Sequence, residues 1–178
     1  MSRAARLWAM CALLLVVGCG DRLVELPTER PVAIPVPLGQ GPLRCPVDTV
    51  AHPDDSPASG AGAVPADFEG RTVLECRTDY MTATRRGRVD RFTISQWSGP
   101  VTPALRTSLD LPDRARRPAL ACAAGTSGHT AVYLVDSRRR SVRVLLPWED
   151  PCHVIRRDVV VLLPGRDRPA QDTFTASR

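Results

Sequence analysis

Apolar positions fall in blocks of different character along the chain. Leu7 to Val17 is an unbroken run of eleven uncharged residues. The stretch LPTERPVAIPVPLGQGP within Asp21–Pro42 has no helical period. Its prolines lack amide donors and favour extended polyproline geometry, which predicts a semi-stiff tether. The alternation of Val32, Ile34 and Val36 leaves an edge strand as the other reading. Pro53–Ala66 is rich in turn residues and predicts a loop. Thr72–Cys76 (TVLEC) is short and β-branched, hence a strand, and Arg85-Arg86-Gly87 makes a turn. In Val89–Trp97, Val89, Arg91, Thr93 and Ser95 alternate with Asp90, Phe92, Ile94 and Gln96, the pattern of a half-buried strand.

Thr102-Pro103 opens a helix with a hydroxyl cap and a proline at the first helical position. Leu105 and Leu109 share one face of it, and Pro112 ends it. Thr130–Val135 (TAVYLV) and Val142–Leu146 (VRVLL) flank the polar turn DSRRRS and predict a hairpin. Its first strand is apolar on both faces and so belongs at the centre of a sheet. His153–Leu163 is ambiguous: Ile155, Val159, Leu162 and Leu163 fit a helical face, while its β-branched run fits a strand. Helix is the reading taken. The expected fold is α+β, a small antiparallel sheet of four or five strands with one or two short helices and two disulfides.

Arg3 and Arg6 precede the apolar run and small Gly18 ends it, the layout of an export signal. Eleven residues are too few to span a bilayer, which needs about 20. Val16-Val17-Gly18-Cys19 resembles the lipobox of bacterial lipoproteins. The resemblance implies a diacylglyceryl group on Cys19, cleavage before it, and Cys19 as the first mature residue. Gly20 follows where an Asp would signal inner-membrane retention in a two-membrane cell. The implied localisation is the extracytoplasmic face of the cell membrane. The domain plan is then 1–18 signal peptide, 19–43 lipidated Cys and Pro-rich tether, 44–165 globular disulfide-bonded domain, and 166–178 flexible tail.

Composition changes the picture little. The chain has no Lys and no Asn, and all 24 of its Lys-plus-Arg residues are Arg. This is the signature of a high-GC coding sequence and weakens Arg richness as a functional sign. Without the leader, 22 Arg face 19 acidic residues, a mild excess that does not indicate nucleic-acid binding. With Cys11 in the leader and Cys19 carrying lipid, Cys45, Cys76, Cys122 and Cys152 remain. An even number in an exported chain reads as two disulfides, of which three pairings are possible. The sequential one, Cys45–Cys76 and Cys122–Cys152, closes two loops of similar length. A zinc site would want close cysteine pairs, which are lacking.

The order Cys45-Pro46, a Gly/Pro-rich loop, VLEC, a polar strand, a short helix, ALAC, a hairpin, and the turn Pro147–Cys152 resembles a loose group of uncharacterised secreted proteins and lipoproteins of high-GC Gram-positive bacteria. The likeness covers residues 45–164 and implies a shared fold with no known activity.

The candidate chemistry is thin. Ala51-His52-Pro53-Asp54-Asp55 resembles the zinc-binding opening of GlcNAc-type deacetylases, in which His52 and Asp55 would bind metal and Asp54 would act as base. The preceding segment is short and polar, Ser56 replaces the usual acidic residue, and His129 and His153 sit in no matching motif. A solvated turn accounts for the string. Gly125–His129 has its glycine directly after the serine, whereas a nucleophile elbow needs it two places on. Trp97 and Trp148 each close an apolar strand and are read as core caps rather than sugar platforms. No catalytic residue, metal site or cofactor is expected. Arg138, Arg139 and Arg140, with Arg143 beyond and Arg85, Arg86 and Arg88 in the other turn, are the candidate anion-binding groups. The expected role is a binding or interaction module of the cell envelope, held to the membrane through Cys19. Its expected partners are anionic lipid, wall polymer or another envelope protein, and not nucleic acid. A small envelope enzyme and a purely structural component are the alternatives.

Overall fold

The computed structural model describes residues 22–26, 29–46, 60–83, 89–117, 128–149 and 154–177. In chain order these form β1 (Arg22–Leu26), β2 (Val36–Pro37), β3 (Gly70–Ala83), β4 (Val89–Pro100), α1 (Pro103–Leu109), β5 (Asp113–Arg117), β6 (Gly128–Asp136), β7 (Arg140–Val144), β8 (Trp148–Glu149), β9 (Val154–Ile155), α2 (Arg157–Val160) and β10 (Asp172–Ser177). They make two sheets rather than one. A six-stranded sheet runs β10-β4-β3-β6-β7-β2, and a four-stranded sheet runs β1-β5-β8-β9. The pairings are antiparallel except β5 with β8. The α+β class holds; the strands are more numerous than expected, and of the two disulfides expected one, Cys45–Cys76, is formed among the described residues.

The long antiparallel ladders β3–β4 and β3–β6 form the centre of the larger sheet. Val73 to Cys76 are buried in succession, as are Ala131 to Val135, so both strands are covered on both faces. On one face Val73, Val132, Leu134, Val142 and Val144 pack against Phe68, Leu105, Leu109, Val159 and Leu163. The other face carries a smaller cluster of Cys45, Leu74, Cys76, Ile94, Ala131 and Tyr133, with Leu43 and Phe174 at its margin. Burial of this apolar surface is the main term holding the sheet to its cover, at about 25 cal/mol per Å².

α1 forms where its sequence predicts. The Thr102 hydroxyl accepts the Leu105 N–H at 3.1 Å, Pro103 occupies the first turn, and Leu105 and Leu109 face the core. The ambiguity over 153–163 resolves into both readings. Two residues of β9 precede a single helical turn at α2, with Val159 buried. The turn starts on Arg156, which is fully buried. Its guanidinium donates to the Pro112 carbonyl at 2.6 Å and to both Asp158 oxygens at 3.0 and 2.5 Å.

Two boundaries require correction. Residues 29–43 are not a free tether. The Arg30 guanidinium is anchored on Asp113 at 2.6 Å and on the Leu109 and Leu111 carbonyls, Val32 bridges Ala63, and β2 pairs with β7. The edge-strand alternative is realised in part. Nor is 166–178 a loose tail, since β10 pairs with β4 from Asp172↔Gln96 to Ser177↔Arg91. Alternation in β10 is carried by Thr and Ala beside one Phe, too weak an apolar signal to announce a strand.

Candidate functional site

The strap of residues 29–46 and the β6–β7 tip build one surface feature together. The strap is fixed at one end by Arg30 on Asp113 and at the other by the Cys45–Cys76 disulfide, with S–S 2.04 Å and Cα–Cα 5.9 Å. The Cys45 N–H donates to Gln96 Oε1 at 3.1 Å, and Gln96 Nε2 donates to the Leu43 carbonyl at 3.2 Å. Between the anchors the strap turns small Ala33 inward. Val32, Ile34 and Val36 point outward and are 65%, 68% and 55% exposed. Pro31 to Leu43 contains no charged residue, in a chain of which 24% is charged. Gly62 sits under the strap, donating its N–H to Arg143 O at 3.1 Å, while the Ala63 N–H donates to the Pro31 carbonyl at 2.7 Å.

The tip is a three-residue turn, Ser137 to Arg139, organised by Asp136. One Asp136 oxygen accepts the N–H groups of Arg138 and Arg140 at 2.9 and 2.8 Å, and the other accepts Arg140 Nε at 2.7 Å. Burial would push the Asp136 carboxyl up. The backbone bond from Arg140, its guanidinium and the Arg138 N–H outweigh that and hold it below the usual carboxylate range. Arg139 takes a left-handed conformation, φ 59°, that a side chain rarely adopts. Its Nη2 donates to the carbonyls of Gly39 and Gly41 at 2.9 and 2.8 Å. Gly41 has φ +119°, which glycine alone tolerates readily. Arg139 and Arg44 flank a shallow cleft of about 140 Å³ over Leu38–Leu43.

This geometry divides the candidate anion-binding arginines. Arg139 is a strap clamp. Arg140 pairs with Asp136 and lies over the Phe68 ring at 5.8 Å. Arg143 is buried, and Arg138 is exposed. Arg85, Arg86 and Arg88 lie outside the described residues, as do Cys19, Cys122, Cys152, His52, Asp54, Asp55 and His153. His129 is half-buried on β6, in register with Thr78. Trp97 is buried and donates its indole N–H to the Arg168 carbonyl at 3.0 Å, so it caps the core as expected. Trp148 is half-buried, and its backbone N–H donates to Asp113 at 3.0 Å.

Sequence reasoning missed the buried carboxylates. Glu75 is 1% exposed, accepts the Gly165 N–H at 2.7 Å, and pairs with Arg77 at 2.9 Å while Arg77 stacks over Trp97 at 4.9 Å. Asp113 is buried beneath Arg30. The one signal in the sequence was an acidic residue inside an otherwise apolar strand, VLEC. Among the described residues no group of His, Cys, Asp and Glu is placed to hold a metal ion, and no helix is long and apolar enough to cross a membrane. No family model, curated protein or solved structure matches this chain.

Proposed function

We propose that this chain is an extracytoplasmic lipoprotein, anchored to the membrane through Cys19, that serves as an interaction module for another envelope protein. The observation that carries the reading is the Cys45–Cys76 disulfide, buried against the central strand. Such bonds persist in oxidising, exported compartments. This agrees with the leader and with the resemblance of Val16-Val17-Gly18-Cys19 to a lipobox.

The strap supports the choice of partner. Its outward row of Val32, Ile34 and Val36 is apolar and charge-free, the composition that marks the centre of a protein interface. A membrane-inserting face would carry aromatic and basic residues, and Pro31–Leu43 has neither. Pro31, Pro35 and Pro37 disfavour addition of a further strand at this edge, so the contact is made by side chains. The cleft beside Arg139 is well below the several hundred Å³ usual for small-molecule sites.

Two experiments test the reading. Labelled fatty acid should enter the parent chain in the producing cell and not the Cys19→Ala variant; equal labelling refutes the anchor. A photo-crosslinker at Ile34 should yield one discrete adduct that is absent when placed at Arg138 and lost in a Val32→Asp, Val36→Asp background. The same adducts at both positions, or none at Ile34, refute the strap as interface.

A further inference from the structure

Both ends of the strap are pinned, and so is its middle. Arg30 holds Asp113 at 2.6 Å, Cys45 is bonded to Cys76, the Ala33 N–H donates to the Ala63 carbonyl at 2.9 Å, and the Leu38 N–H donates to the Arg139 carbonyl at 2.8 Å. Pro31–Pro37 is therefore ordered before any partner arrives, and little conformational freedom remains to be lost on binding. Pro31, Val32, Ile34, Val36 and Pro37 are exposed, Pro35 is half-buried and Ala33 is buried.

The ridge they form is narrow. β2 is the terminal strand of the six-stranded sheet, and the outward row beside it is Val32, Ile34 and Val36. A flat contact on such a row falls well short of the ~800 Å² per partner of a stable interface. The strap of a second copy, equally narrow, adds no more. The partner must therefore rise on both sides of the strap, and that shape is a groove.

The chemistry of the strap sets what lines the groove. Pro31–Leu43 has no charged residue, and a charge pressed against it would lose its water with nothing in the strap to meet it. Pro31, Pro35 and Pro37 bring a carbonyl and no N–H, and the Ala33 N–H is already given to Ala63, so acceptors outnumber donors. A wholly aliphatic cover would take water from those carbonyls and offer no donor in its place. Tryptophan and tyrosine combine a broad apolar face with a donor, and aromatic side chains line the grooves that take proline-rich segments.

We infer that Pro31–Pro37 seats in a groove of the partner envelope protein lined with tryptophan and tyrosine, whose rings cover Val32, Ile34 and Val36 and whose N–H and O–H groups donate to strap carbonyls. This rests on the strap being the interface, as proposed above, and adds the chemistry of the partner's side.

The test uses the full chain in the producing cell, with a diazirine side chain at Ile34. After irradiation the adduct is digested and the attached partner peptide is sequenced. The attachment point should be a tryptophan or tyrosine, or an immediate neighbour of one. Leucine in place of that aromatic should cut the adduct about tenfold, as expected for the loss of an anchor residue. Phenylalanine, which keeps a ring and loses the donor, should cut it about fivefold. No adduct, or one of phospholipid mass, overturns interface and groove together. A discrete protein adduct attached away from tryptophan and tyrosine, or one whose yield the leucine substitution leaves unchanged, overturns the groove alone. Where the leucine variant of the partner does not accumulate, the attachment point decides by itself.

Discussion

Glu75 accepts the backbone N–H of Gly165 at 2.7 Å, tying the central strand to a segment 90 residues downstream. A Cβ on Gly165 would stand 2.6 Å from the Trp97 ring and 2.8 Å from Glu75 Oε2, so glycine is required by close approach. The other Glu75 oxygen meets Arg77, which in turn covers Trp97. Removing one partner of such a buried, hydrogen-bonded charge leaves the others unpaired. We expect Glu75→Ala to destabilise by about 3 kcal/mol, and Glu75→Gln by less because its amide oxygen still accepts from Gly165. Urea unfolding followed by Trp fluorescence reads both. Equal losses would show that the Gly165 bond contributes nothing.

The disulfide gives a second prediction. Closing a loop over a sequence separation of 31 residues restricts the unfolded chain by up to about 3.7 kcal/mol on the chain-entropy model. Reduction, or Cys45→Ala with Cys76→Ala, should lower stability by about 2–4 kcal/mol and free the strap from the sheet. Of the three pairings of four cysteines only one contains Cys45–Cys76. Peptide mapping without reduction should therefore yield Cys122–Cys152 beside it. Alkylatable thiols at Cys122 and Cys152 would refute the second bridge.

Local chemistry made part of this fold legible. The Thr102 cap, the apolar β6 and the alternation of Ile94 and Gln96 against Thr93 and Ser95 are each set by neighbours a few residues apart. The strap was obscured because its alternation is inverted: the large apolar residues face out and Ala33 faces in. Proline density then read as a tether, although proline is well suited to an edge strand. β1 and β5 (RLVEL and DRARR) are held by a ladder between segments some 90 residues apart, with no apolar period to announce it. At the tip, three consecutive arginines suggested an anion site. The Asp136 side chain two residues before Arg138 was the better guide, because an Asp in that place organises a turn through the following N–H groups.

Gly62 offers a sharp test of the strap. A Cβ there would fall on the Pro31 carbonyl oxygen and 2.6 Å from Ala33 N, both backbone and unable to swing away. Gly62→Ala should cost about 3 kcal/mol and expose 29–46 to proteolysis. Gly39→Ala, where nothing lies within 4 Å of the new atom, should be tolerated. Like behaviour of the two variants would mean that the strap does not press on Gly62.

Arg139 combines a strained backbone with a useful side chain. The left-handed conformation costs a non-glycine residue about 1–2 kcal/mol, offset by its bonds to Gly39 and Gly41. Arg139→Gly relieves the strain and loses the bonds, so stability should stay within about 1 kcal/mol of the parent. Arg139→Ala loses the bonds and keeps the strain, and should cost about 2 kcal/mol. Alanine proving no worse than glycine would refute the conformational argument.

Acid should weaken the fold through two aspartates. In Asp136 the burial that would raise the carboxyl is outweighed by the Arg140 and Arg138 bonds. In Asp158 the Arg156 side-chain bond leads and lowers the carboxyl against some burial, helped by the charges of Arg156 and Arg114. Both are depressed in the folded chain. Their stabilisation is therefore complete above the ordinary carboxylate value, about pH 4, and is lost as pH falls through the lower folded values. Asp136→Asn keeps an oxygen for the two tip N–H groups and gives up the charge; Asp158→Asn likewise gives up its charge to Arg156. Urea midpoints at about pH 7 and about pH 3 should differ less in the double variant than in the parent. A parent and double variant with the same acid loss would place the acid sensitivity elsewhere.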